Sequence, residues 1–267
     1  MVNAEIHLVD RGTIRADLNY FIEGYTRGSA ADPNPDVEMG TAPVYNLVID
    51  HPDGTILWDT GSHPDAGNGH WPEELYAAFQ HYDAHERDLE TALDDSGFEI
   101  GDIDYVFQTH LHIDHAGSLH QFAGADTPIF VHEKEIKYAY YSAKTDEGGI
   151  AYVLEDFDHD LNWQVLRRTR ETHFEDVEFI HLPGHTPGTI GTMVHLENTG
   201  TVLFAGDTLY LRPNYDDEKP LGSGVLWSKQ HWFDSLSMMK ELERKHNADV
   251  FCGHDPGDVE RLRSGLS

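Results

Sequence analysis

The chain has 267 residues, 39% of them hydrophobic, which is enough to build a core and excludes a disordered chain. Its 48 acidic and 18 basic residues give a formal net charge of -30, which argues against a nucleic-acid partner, since that needs a basic patch. Cys252 is the single cysteine, so an intramolecular disulfide is excluded, and no stretch approaches the roughly 20 apolar residues that span a membrane.

Only seven of the bases are lysine. An acid-rich, lysine-poor surface repels itself at low salt, and the repulsion is screened at molar salt, where the Debye length is about 3 Å. A halophilic origin follows as the expectation. At the N-terminus, Glu5, His7, Asp10 and Arg11 interrupt any apolar run, so no signal peptide is expected and the default location is cytoplasmic.

In chain order, short apolar runs predict buried or half-buried strands at residues 45–49, 55–58, 105–107, 129–132, 177–182, 192–196, 201–204 and 250–252. Helices are expected between some of them. Residues 72–81 open on a proline and place Leu75, Ala78 and Phe79 on one face. Residues 86–93 run toward Gly97, a C-terminal stop. Residues 228–246 form the clearest helix, with Trp232, Phe233, Leu236, Met239 and Leu242 as an apolar stripe to pack against a sheet. Residues 23–43 and 211–224 lack periodicity and are candidate pocket-lining loops. No internal repeat stands out, and residues 1–267 read as one domain.

The chemistry concentrates just past the strand at 105–107. Residues 110–115 read HLHIDH, so His110, His112, Asp114 and His115 fall within six positions. Neutral imidazole and carboxylate are good ligands for zinc and similar divalent ions. In an extended segment, residues 110, 112 and 114 share one face and His115 points elsewhere unless the chain turns, which suits two adjacent ions better than one. Three further candidates stand singly beside glycine at predicted strand ends: His185 in LPGHTPG, Asp207 in LFAGD and His254 in FCGHD.

In this order, from TILWDTG (55–61) through HLHIDHAG, LPGHTPG and LFAGD to CGHD, the chain resembles the metallo-β-lactamase superfamily over nearly its whole length. The resemblance implies an α/β fold, a four-layer αβ/βα sandwich. It assigns one metal to His110, His112 and His185 and a second to Asp114, His115 and His254, with Asp207 and a hydroxide bridging them. Asp59 matches a residue that supports a metal-bound imidazole. Cys252 reads as a small buried residue, and His63, His70, His81 and His231 as surface or packing histidines, with His63 and His70 possible borders of the cleft.

Among the branches of that superfamily, the chain looks most like the N-acyl homoserine lactone lactonases. Tyr210 follows Asp207 by three residues, and Asn214, Tyr215, Ser228 and a helix with Ser235-Leu236 precede CGHD. The resemblance implies that two divalent ions, zinc first, generate hydroxide. It implies further that Tyr210 contacts the lactone carbonyl and that Asp114 passes a proton to the leaving alkoxide. Trp71, Leu75, Phe79 and the 23–43 loop are expected to wall the acyl chain. The alternatives are another ester or thioester hydrolase of the same fold, such as a glyoxalase II-like enzyme, and a metal-binding chain without turnover.

Overall fold

A computed structural model describes residues 1–145 and 147–267. The N-terminal half forms a sheet from β1 (Glu5–Asp17), β2 (Met39–Asp50), β3 (Ile56–Trp58), β4 (Gln80–His81), β5 (Tyr105–Phe107), β6 (Ile129–His132) and β7 (Trp163–Leu166), in the order β4-β1-β2-β3-β5-β6-β7. The second sheet comprises β8 (Arg170–His173), β9 (Val177–His181), β10 (Ile190–His195), β11 (Thr201–Phe204) and β12 (Asp249–Phe251), in the order β12-β11-β10-β9-β8. The helices are α1 (Leu18–Phe21), α2 (Glu73–Ala78), α3 (Leu89–Asp95), α4 (Glu133–Thr145), α5 (Leu154–Phe157), α6 (Arg212–Asp216), α7 (Lys229–His246) and α8 (Pro256–Leu262).

Side-chain alternation explains the layering. In β3, Ile56 and Trp58 join a core shared with Phe179, Val194 and Phe204 of the second sheet, while Leu57 faces a separate core with Leu93 of α3 and Ala139 of α4. In β11, Val202 and Phe204 face the first sheet, while Leu203 meets Trp232, Leu236 and Met239 of α7. β3 and β11 are therefore apolar on both faces, which is why they read as continuous runs rather than alternating ones. The sheets pack face to face with helices outside each, as the four-layer expectation requires. The Trp58 indole N–H donates to Thr192 Oγ1 across the shared core at 3.1 Å.

Several expectations are corrected in detail. The long β1 does not show in the sequence, because Asp10, Arg11 and Arg15 break its pattern. Arg11 is nevertheless buried, donating to Asn46 Oδ1 (2.8 Å) and to the carbonyls of Thr60, Ser62 and Arg87. The 72–81 helix is only α2, with Pro72 at its N-cap and β4 at its end. The 86–93 helix starts instead at Leu89, capped by the Asp88 carboxylate. In α7, Ser228 caps the N-terminus, and Phe233 turns outward while the rest of the stripe is buried. The 23–43 segment yields its last residues to β2, and residues 211–224 contain α6. No helix among the described residues is long and apolar enough to cross a membrane.

Candidate metal centre

All site donors come from strand ends on one edge. β3 and β5 are parallel, so Asp59 and the 110–115 segment emerge side by side. β11 and β12 are parallel to one another, and β9 runs the same way through two antiparallel steps across β10. His185, Asp207 and His254 therefore follow three ends that point in one direction. The last two turns press together so closely that a Cβ on Gly253 would lie 2.8 Å from the Gly206 carbonyl oxygen, a contact only glycine allows.

The 110–115 segment is not extended. The His112 carbonyl accepts from the backbone N–H of His115 (3.0 Å) and of Ala116 (2.9 Å), so the chain turns and His115 joins its neighbours in the cleft. Gln108 secures the turn by donating to the carbonyls of His110 (2.8 Å) and His115 (2.7 Å).

The donors assemble as two groups, His110, His112 and His185 in one and Asp114, His115, Asp207 and His254 in the other, each with its ligand atoms within 4.8 Å of one another. Asp207 lies between them. Its Oδ2 faces His185 Nε2 at 3.4 Å and His110 Nε2 at 3.7 Å, and its Oδ1 faces His115 Nε2 and His254 Nε2 at 3.1 Å each.

Outer hydrogen bonds fix which nitrogens carry lone pairs. His185 Nδ1 donates to the Val225 carbonyl (2.6 Å), and His254 Nδ1 to the Pro43 carbonyl (2.8 Å). His115 Nδ1 donates to Asp59 Oδ2 (2.8 Å), and the same carboxylate accepts the Thr109 backbone N–H (2.7 Å) and hydroxyl (2.8 Å). The Thr109 hydroxyl is thus spent as a donor and accepts from His110 Nδ1 (3.0 Å). In its neutral form each of these imidazoles then presents a lone pair on Nε2 to the centre. His110 Nε2 and His185 Nε2 face each other at 3.1 Å, two lone pairs when both rings are neutral, and His115 Nε2 and Asp207 Oδ1 are buried without a hydrogen bond. Lone pairs converging in this way need a cation, and the donor set fits two divalent ions.

Electrostatics prepare the same chemistry. Burial, reinforced by neighbouring imidazoles, pushes His110 and His112 well below the usual histidine range, which keeps them neutral. Burial opposes charge on Asp207, but the imidazoles of His115, His254 and His110 hold its carboxyl well below the usual range. Burial raises Asp59, and the hydrogen bonds from His115 and Thr109 work against that rise. Asp59 occupies a left-handed turn at φ 58°, so it both shapes the turn and aims His115.

The centre opens onto a cavity of about 590 Å³, on which His112, Asp114, His185, Tyr210 and His254 all border. The Tyr210 ring lies edge-on to His254 and His185, at centroid distances of 5.1 and 5.5 Å. Leu75 and Phe79 line the wall as expected. Trp71 does not: it is fully buried in the core behind them. Of the 23–43 loop only Ala42 reaches the cavity. Further apolar wall comes from Phe21, Ile113, Ile150, Val225, Leu226 and Trp227, supplied by separate segments and unmarked by any local pattern. His63 and His70 do not border it; they stack on one another at 3.7 Å, and His70 pairs with the buried Asp156. Cys252 is buried, as expected.

Comparison with known proteins bears on the family and the fold. Residues 39–254 match the metallo-beta-lactamase superfamily. The N-acyl homoserine lactonase AttM of Rhizobium radiobacter is 30% identical, with 96% of this chain and 95% of the relative covered. The N-acyl homoserine lactonase AiiB of Agrobacterium fabrum is 28% identical over 94% and 93%. The fold is shared with a solved N-acyl homoserine lactone hydrolase holding the product N-hexanoyl-L-homoserine at its catalytic metal centre (TM-score 0.80, 24% identity, 98% of each chain). It is shared also with AidC, a dizinc quorum-quenching lactonase (TM-score 0.66, 18% identity, 96% and 89%). With the whole site and most of the chain inside the matched region, this protein belongs to the metallo-beta-lactamase superfamily.

Proposed function

We propose that this chain is a dinuclear-metal lactonase that opens N-acyl homoserine lactones by attack of hydroxide on the ring carbonyl, releasing an acyl homoserine. The observation that carries the reading is the meeting, in one cavity, of two cation-ready donor groups, a buried tyrosine and apolar walls. That combination suits a polar ring joined to an apolar chain, and the lactonase relatives supply the substrate class. A pair of divalent ions, when bound, supplies hydroxide at neutral pH and polarises an ester carbonyl. Five imidazoles and two carboxylates with no thiolate favour zinc among such ions.

His110, His112 and His185 would hold one ion, Asp114, His115 and His254 the other, and Asp207, which faces both groups, would serve both. Tyr210 acts on the substrate. Burial, with Asp207 and Asp114 nearby, raises its phenol well above the usual range, so it stays protonated and donates to the carbonyl oxygen as negative charge develops. Asp114 is half-buried and faces the cavity, where its carboxylate accepts a proton and returns it to the leaving alkoxide. The acyl chain lies along Leu75 and Phe79.

A panel of acyl homoserine lactones, thioesters and β-lactams tests the reading, run at high salt. Turnover of the lactones above the other classes is expected; thioester turnover without lactone turnover would replace the substrate class. The acidic, lysine-poor surface supports a salt-filled cytoplasm as the setting. Circular dichroism from molar to millimolar salt should show loss of structure at the low end, and equal stability at both ends would remove the halophilic reading.

A further inference from the structure

His112 differs from the other site imidazoles. The other four each donate a ring N–H to a carboxylate, carbonyl or hydroxyl, whereas His112 makes no such outer hydrogen bond among the described residues; its Nδ1 faces His185 Nε2 at 2.8 Å. Its ring instead packs on Tyr152, at a centroid distance of 4.5 Å. The Tyr152 hydroxyl donates to Glu135 Oε1 at 2.8 Å.

Glu135 is a fully buried carboxylate in the first turn of α4, where the helix dipole favours an anion. It lies outside the donor groups, yet it joins the two loops that carry one of them. Its Oε1 also accepts the Leu111 backbone N–H (3.0 Å), between His110 and His112. Its Oε2 accepts the Thr186 hydroxyl (2.5 Å), next to His185. The contact with the second loop is close: a Cβ on Gly188 would lie 2.2 Å from the Glu135 backbone nitrogen.

We propose that Glu135, acting with Tyr152, is the positioning residue for the His110–His112–His185 cation, as Asp59 is for the ion on the His115 side. The inference rests on the two-ion reading of the centre. A buried carboxylate that ties both loops sets the spacing between His185 and the pair His110 and His112, and the tyrosine it orients fixes the plane of His112. Losing an outer partner of this kind weakens metal affinity about 10- to 100-fold. The two ions then have separate supports: Asp59 grips one imidazole directly, and Glu135 grips the loops.

Stepwise zinc dissociation constants, measured by chelator competition on the full-length protein, test this without any lactone turnover. Glu135→Gln keeps the shape and removes acceptor capacity. It should weaken one binding step about 10- to 100-fold and leave the other near wild type. Asp59→Asn should weaken the opposite step, and the double variant both. Tyr152→Phe, which keeps the ring and should fold normally, should weaken the same step as Glu135→Gln by a smaller factor. Excess zinc should restore turnover in either single variant. Wild-type affinities in both Tyr152→Phe and a folded Glu135→Gln would overturn the proposal. So would a parallel fall of both steps with melting temperature that excess zinc does not reverse, which is what a purely structural residue would give. Because metal binding is read directly, a wild type that binds two ions but opens no lactone would sink the proposed reaction and not this inference.

Discussion

The two sheets deliver the site in opposite ways. The first sends four donors, His110, His112, Asp114 and His115, out on one turn after β5, held by hydrogen bonds within that turn and by Asp59 from the next strand. The second sends one donor each from three strand ends, and their spacing is that of the sheet. β11 lies between β12 on one side and β10 and β9 on the other, so Asp207 falls between His254 and His185. A cluster on one turn is built locally. A position that faces both groups has to be built by strand order, and here it falls to Asp207, the middle member of the dispersed set.

The sharpest way to break this contrast is Asp207→Ala. If the central strand end serves both ions, metal content should fall from two toward none. Turnover should fall at least about a thousandfold, since the ions supply several kcal/mol of transition-state stabilisation and each 1.36 kcal/mol is tenfold. Elemental analysis showing two ions still bound would show that the middle position has no special role.

A smaller effect is expected at Tyr210, three residues past Asp207 and tied to the next strand end by accepting the His254 backbone N–H at 3.0 Å. If Tyr210 donates to the developing oxyanion, Tyr210→Phe should cost about 3 kcal/mol, or about a hundredfold in turnover. Metal content and melting temperature should stay near wild type. Unchanged lactone turnover would leave the tyrosine a packing residue and withdraw the most specific support for a lactonase.

Asp59→Asn sharpens the comparison from the clustered side. The damage should be confined to His115: metal affinity falls about 10- to 100-fold at one step, and excess zinc restores turnover. If both ions are lost together, the clustered side is no more autonomous than the dispersed one.

The smallest effect is one of pH, at the His70–Asp156 pair on the N-terminal side. Burial opposes charge on His70, but the Asp156 carboxylate, 2.6 Å away, raises its pKa overall; burial raises Asp156 as well, with His70 opposing. Both groups therefore hold protons more tightly folded than unfolded, so stability falls with rising pH, for Asp156 above the usual aspartate value and for His70 above about 6.5. A melting temperature that declines between pH 6 and 8 in the wild type should decline less in His70→Gln. An identical slope in the two proteins would show that the pair does not contribute.

Much of this architecture can be read from the chain alone, and the limits have physical causes. β5, β6 and β11 are legible to the residue because strands buried on both faces are continuous apolar runs. β1 is not, since Arg11 is buried against carbonyls that other segments bring to it. The helix α4 is likewise illegible: EKEIKYAYYSAKT is mostly polar and tyrosine, and nothing in the sequence separates its buried Glu135 from Glu133 two residues before it.

For the site, the residue types and order in HLHIDH, LPGHTPG, LFAGD and CGHD already determine which side chains are candidates, because their chemistry is local to each motif. What only the tertiary structure decided is how they combine. An extended reading of 110–115 sends His115 away, and the hydrogen bonds from His115 and Ala116 to His112 bring it back. The facing of Asp207 toward both groups follows from the order of β9, β11 and β12, and the cavity wall from Phe21, Ile150 and Trp227, segments far apart in the chain. Motif chemistry depends on neighbours a few residues away, whereas bridging, outer support and pocket shape depend on register and on packing between distant segments, which no local pattern encodes.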